Sequence, residues 1–307
     1  MTFSSNVREE VAHLPIERAC CRSTFLAAAL RGAGSLHLTG GGHMHGEVDV
    51  GSHAVGRRLL VTLREEGATC GVRAYTPERL GASQRVLLVL AEDAASSAAL
   101  QRAGVIDAAG RPQPFVDDSL LQRSCCRVIA LRGAFAVGGS VSPPGRSPSL
   151  EMRTHDVAFA NVLAKCAASM EIPLRVRERP RWSEVMTRQR GAVQDLLTVI
   201  GAEAAALDVA EDDVVRSARA DANRRANFDT ANLSRQVLAA RTQLQAIAIL
   251  GEAGLLGGLP VALRTTAQLR LDNPELTLAE LAFAGNVPRP TLAARLRRLI
   301  TEAEALG

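Results

Sequence analysis

Between Leu281 and Thr301 the chain carries Arg289, Arg295, Arg297 and Arg298 and no acidic residue. Guanidinium groups with no carboxylate to pair with are suited to neutralising phosphates along a nucleic-acid backbone. A helical wheel puts Leu292, Leu296, Leu299 and Ile300 on one face and Thr291, Ala294, Arg297, Arg298 and Thr301 on the other. Thr291 and Ala294 lie nearest the helix N-terminus, the part that meets base edges when such a helix enters a major groove. Thr291 can hydrogen-bond a base or cover a thymine methyl, whereas Ala294 offers only apolar contact.

Three other groups have chemically suggestive spacing. Arg175, Arg177 and Arg179 stand two apart and so share one face of a strand, making a secondary phosphate-facing candidate; a solvated edge strand accounts for the same pattern. His37, His43 and His45 include a His-x-His pair, whose rings share a strand face, but they read as solvated groups at a hairpin tip. The six cysteines comprise the vicinal pairs Cys20-Cys21 and Cys125-Cys126 and the isolated Cys70 and Cys166. With no Cys-x-x-Cys spacing, zinc or dithiol chemistry has little support, and buried reduced thiols are expected. Neither metal nor cofactor is expected.

The elements that hold these residues announce themselves through a repeat. Residues 18–35 and 123–140 align at a constant offset of 105, sharing Arg18/Arg123, Cys20/Cys125, Cys21/Cys126, Arg22/Arg127, Leu26/Leu131, Ala29/Ala134, Gly34/Gly139 and Ser35/Ser140. The offset exceeds the about 20 to 50 residues of a solenoid unit and points to two half-domains related by a pseudo-twofold axis. Each copy is an apolar, Ala- and Gly-rich helix. Small residues at Ala28, Ala29, Gly32 and Ala33, and at Gly133, Ala134 and Gly138, let two backbones approach closely, which predicts a central helix pair. Arg22, Arg31, Arg127 and Arg132 interrupt both stretches before about 18 apolar residues accumulate, so a transmembrane reading fails.

Phe3, Val7, Val11 and Leu14 define a first amphipathic helix, with Ser4 or Ser5 as its N-cap. After the first repeat helix come a hairpin about Gly40-Gly41-Gly42, a helix over 52–66, strands over 70–75 and 85–90, and a helix over 94–103. The second copy repeats the order: a hairpin around Pro143-Pro144-Gly145, a helix over 156–170, strands over 174–178 and 183–188, and a helix over 192–200. Residues 1–204 therefore read as an α+β domain built on one saddle-shaped sheet. Residues 205–250 read as a helical linker with a break near Asp229, and 251–307 as an all-α helix-turn-helix domain. Thr277 with Glu280 forms a capping box, Gly285-Asn286 supplies a left-handed turn, and Pro290 fits a first helical turn. Asparagines at 223, 227 and 232 are unfavourable inside a helix, which suggests a capping or phosphate-binding use.

The segment Leu131-Arg-Gly-Ala-Phe-Ala-Val-Gly-Gly139 resembles the LAGLIDADG motif of homing endonucleases, matching it at Leu131, Gly133 and Gly139. The resemblance implies a metal-binding acid at the eighth letter, and those positions are Ala33 and Gly138. Metal-assisted hydrolysis needs carboxylate oxygens to hold the cation, so the scaffold is expected without its chemistry. Joined to a helix-turn-helix, it is similar to the WhiA family of bacterial regulators, in its actinobacterial form. The likeness is carried by Phe3-Ser-Ser-Asn-Val-Arg-Glu-Glu10, both Cys-Cys-Arg helices, Gly139-Ser-Val-Ser142, Asn223-Arg-x-x-Asn-x-Asp-x-Ala-Asn232 and Leu296-Arg-Arg-Leu299. Pro290, Ala293 and Ala294 stand where that family has polar residues.

What the resemblance implies is a pseudo-twofold LAGLIDADG-like αββαββα repeat followed by a helix-turn-helix. In function it implies a non-enzymatic, sequence-specific regulator of cell-division and sporulation genes. Its partners would be double-stranded DNA and a WhiB-like iron-sulfur protein. Two other classes stay open: an active endonuclease, opposed by Ala33 and Gly138, and a cell-division or nucleoid scaffold with weak sequence preference, favoured by the alanines at 293 and 294.

The net charge of +4 is too small to announce a nucleic-acid partner by itself. Of the 36 basic residues only Lys165 is lysine, which reflects genomic base composition more than local function. The start Met-Thr-Phe-Ser-Ser-Asn has neither the basic segment nor the apolar run of a secretory signal. A cytoplasmic, nucleoid-associated protein without membrane contact is expected.

Overall fold

A computed structural model describes residues 2–38, 44–78, 83–155 and 157–306 of the chain, the side chains of Leu38 and Asp229 excepted. The chain divides into two compact units, Met1–Val214 and Val215–Gly307.

In the first unit a leading helix α1 (Phe3–His13) precedes two runs of identical element order. The first run is α2 (Ala19–Ala33), β1 (Gly34–Leu38), β2 (Met44–Val50), α3 (His53–Glu65), β3 (Cys70–Tyr75), β4 (Arg85–Leu90) and α4 (Ala94–Arg102). The second is α5 (Ser124–Gly138), β5 (Gly139–Val141), β6 (Leu150–Thr154), α6 (Val157–Ala168), β7 (Arg175–Glu178), β8 (Ser183–Thr187) and α7 (Arg190–Ile200). Both sheets are antiparallel, with orders β1-β2-β4-β3 and β5-β6-β8-β7, so the duplication extends to topology. Instead of one continuous saddle, the described residues form two four-stranded sheets. The central helices account for the separation: each runs straight into the edge strand of its own sheet.

α2 and α5 pack on each other more extensively than any other pair of helices, as the small residues require. Ala28 and Ala29 on α2 and Ala130 and Ala134 on α5 are buried. A β-carbon on Gly133 would stand 2.9 Å from that of Ala28, so the backbones lie as close as side chains permit. Arg31, which interrupts the apolar face of α2, is itself buried. Its guanidinium donates to the carbonyls of Gly104, Gln113, Pro114 and Phe115 over 2.7 to 3.4 Å, fastening the segment that joins the two halves. A cation among carbonyls is the arrangement that makes such burial tolerable.

The N-cap of α1 is Thr2, which forms a reciprocal capping box with Ser5. Ser4, expected as a cap, instead pairs with the edge of β5. Its Oγ donates to the Val141 carbonyl at 2.8 Å and accepts from the Val141 amide at 2.9 Å. An edge strand with open backbone groups is thereby closed by a side chain from the first helix.

Beyond α7 a single helix, α8 (Glu203–Glu252), runs without the break expected near Asp229. Asn223 and Asn227 sit exposed on it, while Asn232 is half-buried and accepts from Arg235 at 2.7 Å. In the second unit, the last turns of α8 supply Ala246, Ile247 and Leu250 to a core completed by α9 (Val261–Asp272), α10 (Leu278–Ala284) and α11 (Arg289–Glu304). Thr277 and Glu280 form the capping box, and Asn286 takes the left-handed turn at φ 46°. Pro290 lies in the first turn of α11. No helix of the described residues is long and apolar enough to cross a membrane.

Candidate nucleic-acid interface

α11 presents the face that its sequence periodicity predicts. Leu292, Leu296 and Leu299 are buried against the helices of the second unit, with Ile300 partly so. Arg289, Thr291, Ala294, Arg297, Arg298 and Thr301 are exposed, while Arg295 is half-buried. Arg297 donates to the Ala293 carbonyl at 3.3 Å, and Arg298 lies 3.6 Å from Glu302 one turn later, both side chains open to solvent. A surface pair of this kind is worth little and yields readily to a phosphate. Arg289 and Arg297 make no ion pair among the described residues. Arg289 and Thr291 stand at the N-terminus of the helix, where the amide dipoles add positive potential, and Arg297 and Arg298 lie about two turns further along.

The helix-turn-helix depends on a residue that periodicity did not flag. Arg270 on α9 is only 2% exposed, and its guanidinium donates to the carbonyls of Leu276 at 2.7 Å and Asn273 at 3.2 Å. Burial lowers its pKa from the ordinary arginine value. It holds the loop between α9 and α10, and through it the start of the turn.

The outer sheet faces of the first unit have a different electrostatic character. Arg177 lies opposite Glu184 on β8, and Glu184 lies opposite Arg153 on β6. Arg177 and Arg179 both pair with the buried Glu184 carboxylate, Arg179 at 3.4 Å. Burial alone would raise the Glu184 pKa, but the hydrogen bond and charge of Arg177, followed by those of Arg179, hold it below the usual carboxylate value. Of the expected stripe, only Arg175 remains without an ion pair among the described residues. In the other half, His37 and His45 stack at 5.1 Å beside Glu47, and Glu92 lies 3.1 Å from His45. Those histidines therefore do have acids beside them, brought from β2 itself and from just past β4. His43 lies outside the described residues. Asp49 accepts from Arg85 at 2.9 Å and from the Tyr75 hydroxyl at 2.7 Å. Both sheet faces thus carry paired charges, with Arg175 the exception.

The two motif positions end the central helices, with Ala33 at the close of α2 and Gly138 at the close of α5. Neither side chain has an oxygen, and Gly138 lies hard against the backbone of β6. At the opposite ends of the same helices the structure assembles a group that sequence spacing did not predict. The sulfurs of Cys20, Cys21, Cys125 and Cys126 all lie within 4.8 Å of one another. The signal that could have found them was the repeat, which doubles each vicinal pair, in place of a local Cys-x-x-Cys. Burial raises Cys21 and Cys126 above the ordinary thiol value. Cys125 is lowered despite burial, through hydrogen bonds with Cys21 and Arg18.

A two-repeat LAGLIDADG-like unit without motif acids, carried with a helix-turn-helix whose third helix is basic and has no acid before Glu302, defines a DNA-binding protein. Two family models match: a WhiA LAGLIDADG-like domain over residues 127–219 and a WhiA C-terminal HTH domain over 222–303. The chain belongs to the WhiA family. It is 34% identical to the probable cell division protein WhiA of Acidothermus cellulolyticus, an alignment covering 99% of this chain and 94% of that one. It is 33% identical to the protein of the same name from Streptomyces griseus, over 99% and 92% of the two chains. Full-length DUF199/WhiA from Thermatoga maritima shares the fold, with a TM-score of 0.60 at 23% identity, covering 100% of this chain and 99% of that one.

Proposed function

We propose that this protein is a nucleoid-associated, sequence-specific regulator of cell-division and sporulation genes, with α11 reading the major groove and the LAGLIDADG-like unit performing no hydrolysis. The observation that carries the reading is the exposed face of α11, rich in arginine and free of acids from Arg289 to Thr301, with Thr291 and Ala294 at its leading end. In this reading Arg289, Arg295, Arg297 and Arg298 bind phosphates, and Thr291 and Ala294 meet base edges. The relatives' name, probable cell division protein, supports the cell-division part of that role. Ala33 and Gly138 support the absence of catalysis, because neither can hold a cation. Arg175 is a secondary phosphate contact, with Arg177 and Arg179 weakened in that role by Glu184. The WhiB-like iron-sulfur protein implied by the family resemblance is the partner that this reading recruits.

A second reading, a nucleoid or cell-division scaffold with weak sequence preference, is favoured by one observation: Thr291 is the sole polar uncharged side chain on the leading part of the exposed face. Genomic footprinting separates the two. Occupancy concentrated on a shared short sequence upstream of genes supports the regulator, and diffuse occupancy supports the scaffold. Incubation with plasmid and Mg²⁺ or Mn²⁺ tests the enzymatic claim. Metal-dependent cleavage that persists through purification contradicts it.

A further inference from the structure

Four thiols distant in sequence meet where α2 and α5 begin. Their sulfurs all lie within 4.8 Å of one another, with Cys125 and Cys126 at 4.0 Å. All are free thiols, whereas a disulfide would bring two sulfurs to about 2.0 Å and use them in pairs. Here each sulfur has the other three as neighbours. A single tetrahedral ion with sulfur at about 2.3 Å spaces its ligands about 3.8 Å apart. Closing the cluster around one ion therefore asks for side-chain movements of only about 1 Å. An iron-sulfur cluster spreads its four thiolates over several irons and needs a wider cage. No carboxylate or imidazole belongs to the group. An all-thiolate tetrahedral set selects a soft or borderline cation, of which zinc needs no redox change.

The surroundings suit such a centre. Four thiolates around a divalent cation leave two negative charges, and arginines from both repeats answer them. Arg123 donates to the Cys20 sulfur at 3.7 Å, so a guanidinium of the second repeat reaches a thiol of the first, and Arg18 holds the matching position in the first repeat. The positive ends of two helices, neither capped by a side chain, lie at the same place. Cys20 and Cys125 are half-buried, which leaves a path from solvent, while Cys21 and Cys126 are buried beneath them.

We propose that Cys20, Cys21, Cys125 and Cys126 form a structural zinc site at which each repeat of the LAGLIDADG-like unit supplies two thiolates. On binding, each thiol passes its proton to solvent, four metal–sulfur bonds form and no electron is transferred. The ion ties the start of α2 to the start of α5 and so locks the two halves together. This site is independent of the DNA-reading role of α11.

The test uses the full-length chain, purified under a phosphine reductant and titrated with Co²⁺ and then Zn²⁺. The expected result is one cobalt per chain, with the intense visible bands of tetrahedral thiolate cobalt, displaced by zinc. Zinc should also shield four of the six thiols from a chromogenic thiol reagent, and a chelator should expose them again. Cys20→Ser and Cys125→Ser should weaken cobalt binding about tenfold or more, while Cys70→Ser and Cys166→Ser retain it. If a variant fails to fold, shielding in the unmodified chain decides. A folded, reduced chain that gives no thiolate-cobalt bands, and whose thiols react at the same rates with and without zinc, overturns the proposal.

Discussion

Gly138, the second position at which a metal-binding acid would stand, is pressed against Arg153: a β-carbon built on it would lie 2.7 Å from the Arg153 carbonyl oxygen and 3.4 Å from its amide nitrogen. The position is closed by backbone, which cannot rotate aside as a side chain can. Loss of the acid and approach of β6 are thus one structural fact. Gly138→Asp should therefore restore no nuclease activity and should lower stability by about 1–3 kcal/mol as β6 is displaced. Plasmid cleavage in Mg²⁺ and thermal unfolding of the variant check both halves. A variant of unchanged stability that cleaves DNA contradicts the account.

Arg270 carries the fold of the second unit in a way that its charge conceals. Replacing it with Met keeps much of the apolar stem but removes the donors to the Asn273 and Leu276 carbonyls. Arg270→Met should cost about 1–3 kcal/mol through those buried acceptors and weaken DNA binding only as far as the helix-turn-helix unfolds. Calorimetry alongside binding at low temperature separates the two effects. Full stability with impaired binding would place Arg270 at the DNA instead.

Glu184 predicts an acid-dependent component of stability. Its folded pKa lies below the value in an unfolded chain, so the unfolded state takes up the proton first as the solution is acidified. The stabilisation is complete above the ordinary carboxylate range and is lost as pH falls through the folded value. Glu184→Gln should cost about 1–2 kcal/mol at neutral pH, modest because Arg177 and Arg179 are partly solvated. The difference from the unmodified chain should shrink steadily below about pH 4. Denaturant titrations at neutral pH and at pH 3 check this, and a constant difference at both contradicts it.

Where the sequence was informative, local chemistry and tertiary structure agreed. The Arg18 and Arg123 repeat implied the α2–α5 pair because close packing demands small residues at regular spacing, and the leucines of α11 marked its buried face for the same reason. The illegible features came from contacts between distant segments. Glu184 neutralises Arg177 and Arg179 from a neighbouring strand, Ser4 seals a strand edge 137 residues away, and four cysteines meet only when the repeats pack. Asp229 fell in a helix expected to break there, because a long helix tolerates scattered poor formers when its ends are held by packing.

The central claim is that α11 reads DNA, and titration of full-length protein into matched and scrambled duplexes at two salt concentrations tests it most directly. Arg297→Ala and Arg298→Ala should each weaken binding to both duplexes and reduce the salt slope by about one unit. Thr291→Ala should cost about 1 kcal/mol on the matched duplex and little on the scrambled one. Arg175→Ala should have a smaller effect than either α11 arginine. If the α11 variants bind both duplexes as tightly as the unmodified chain, with unchanged salt slopes, the claim is wrong.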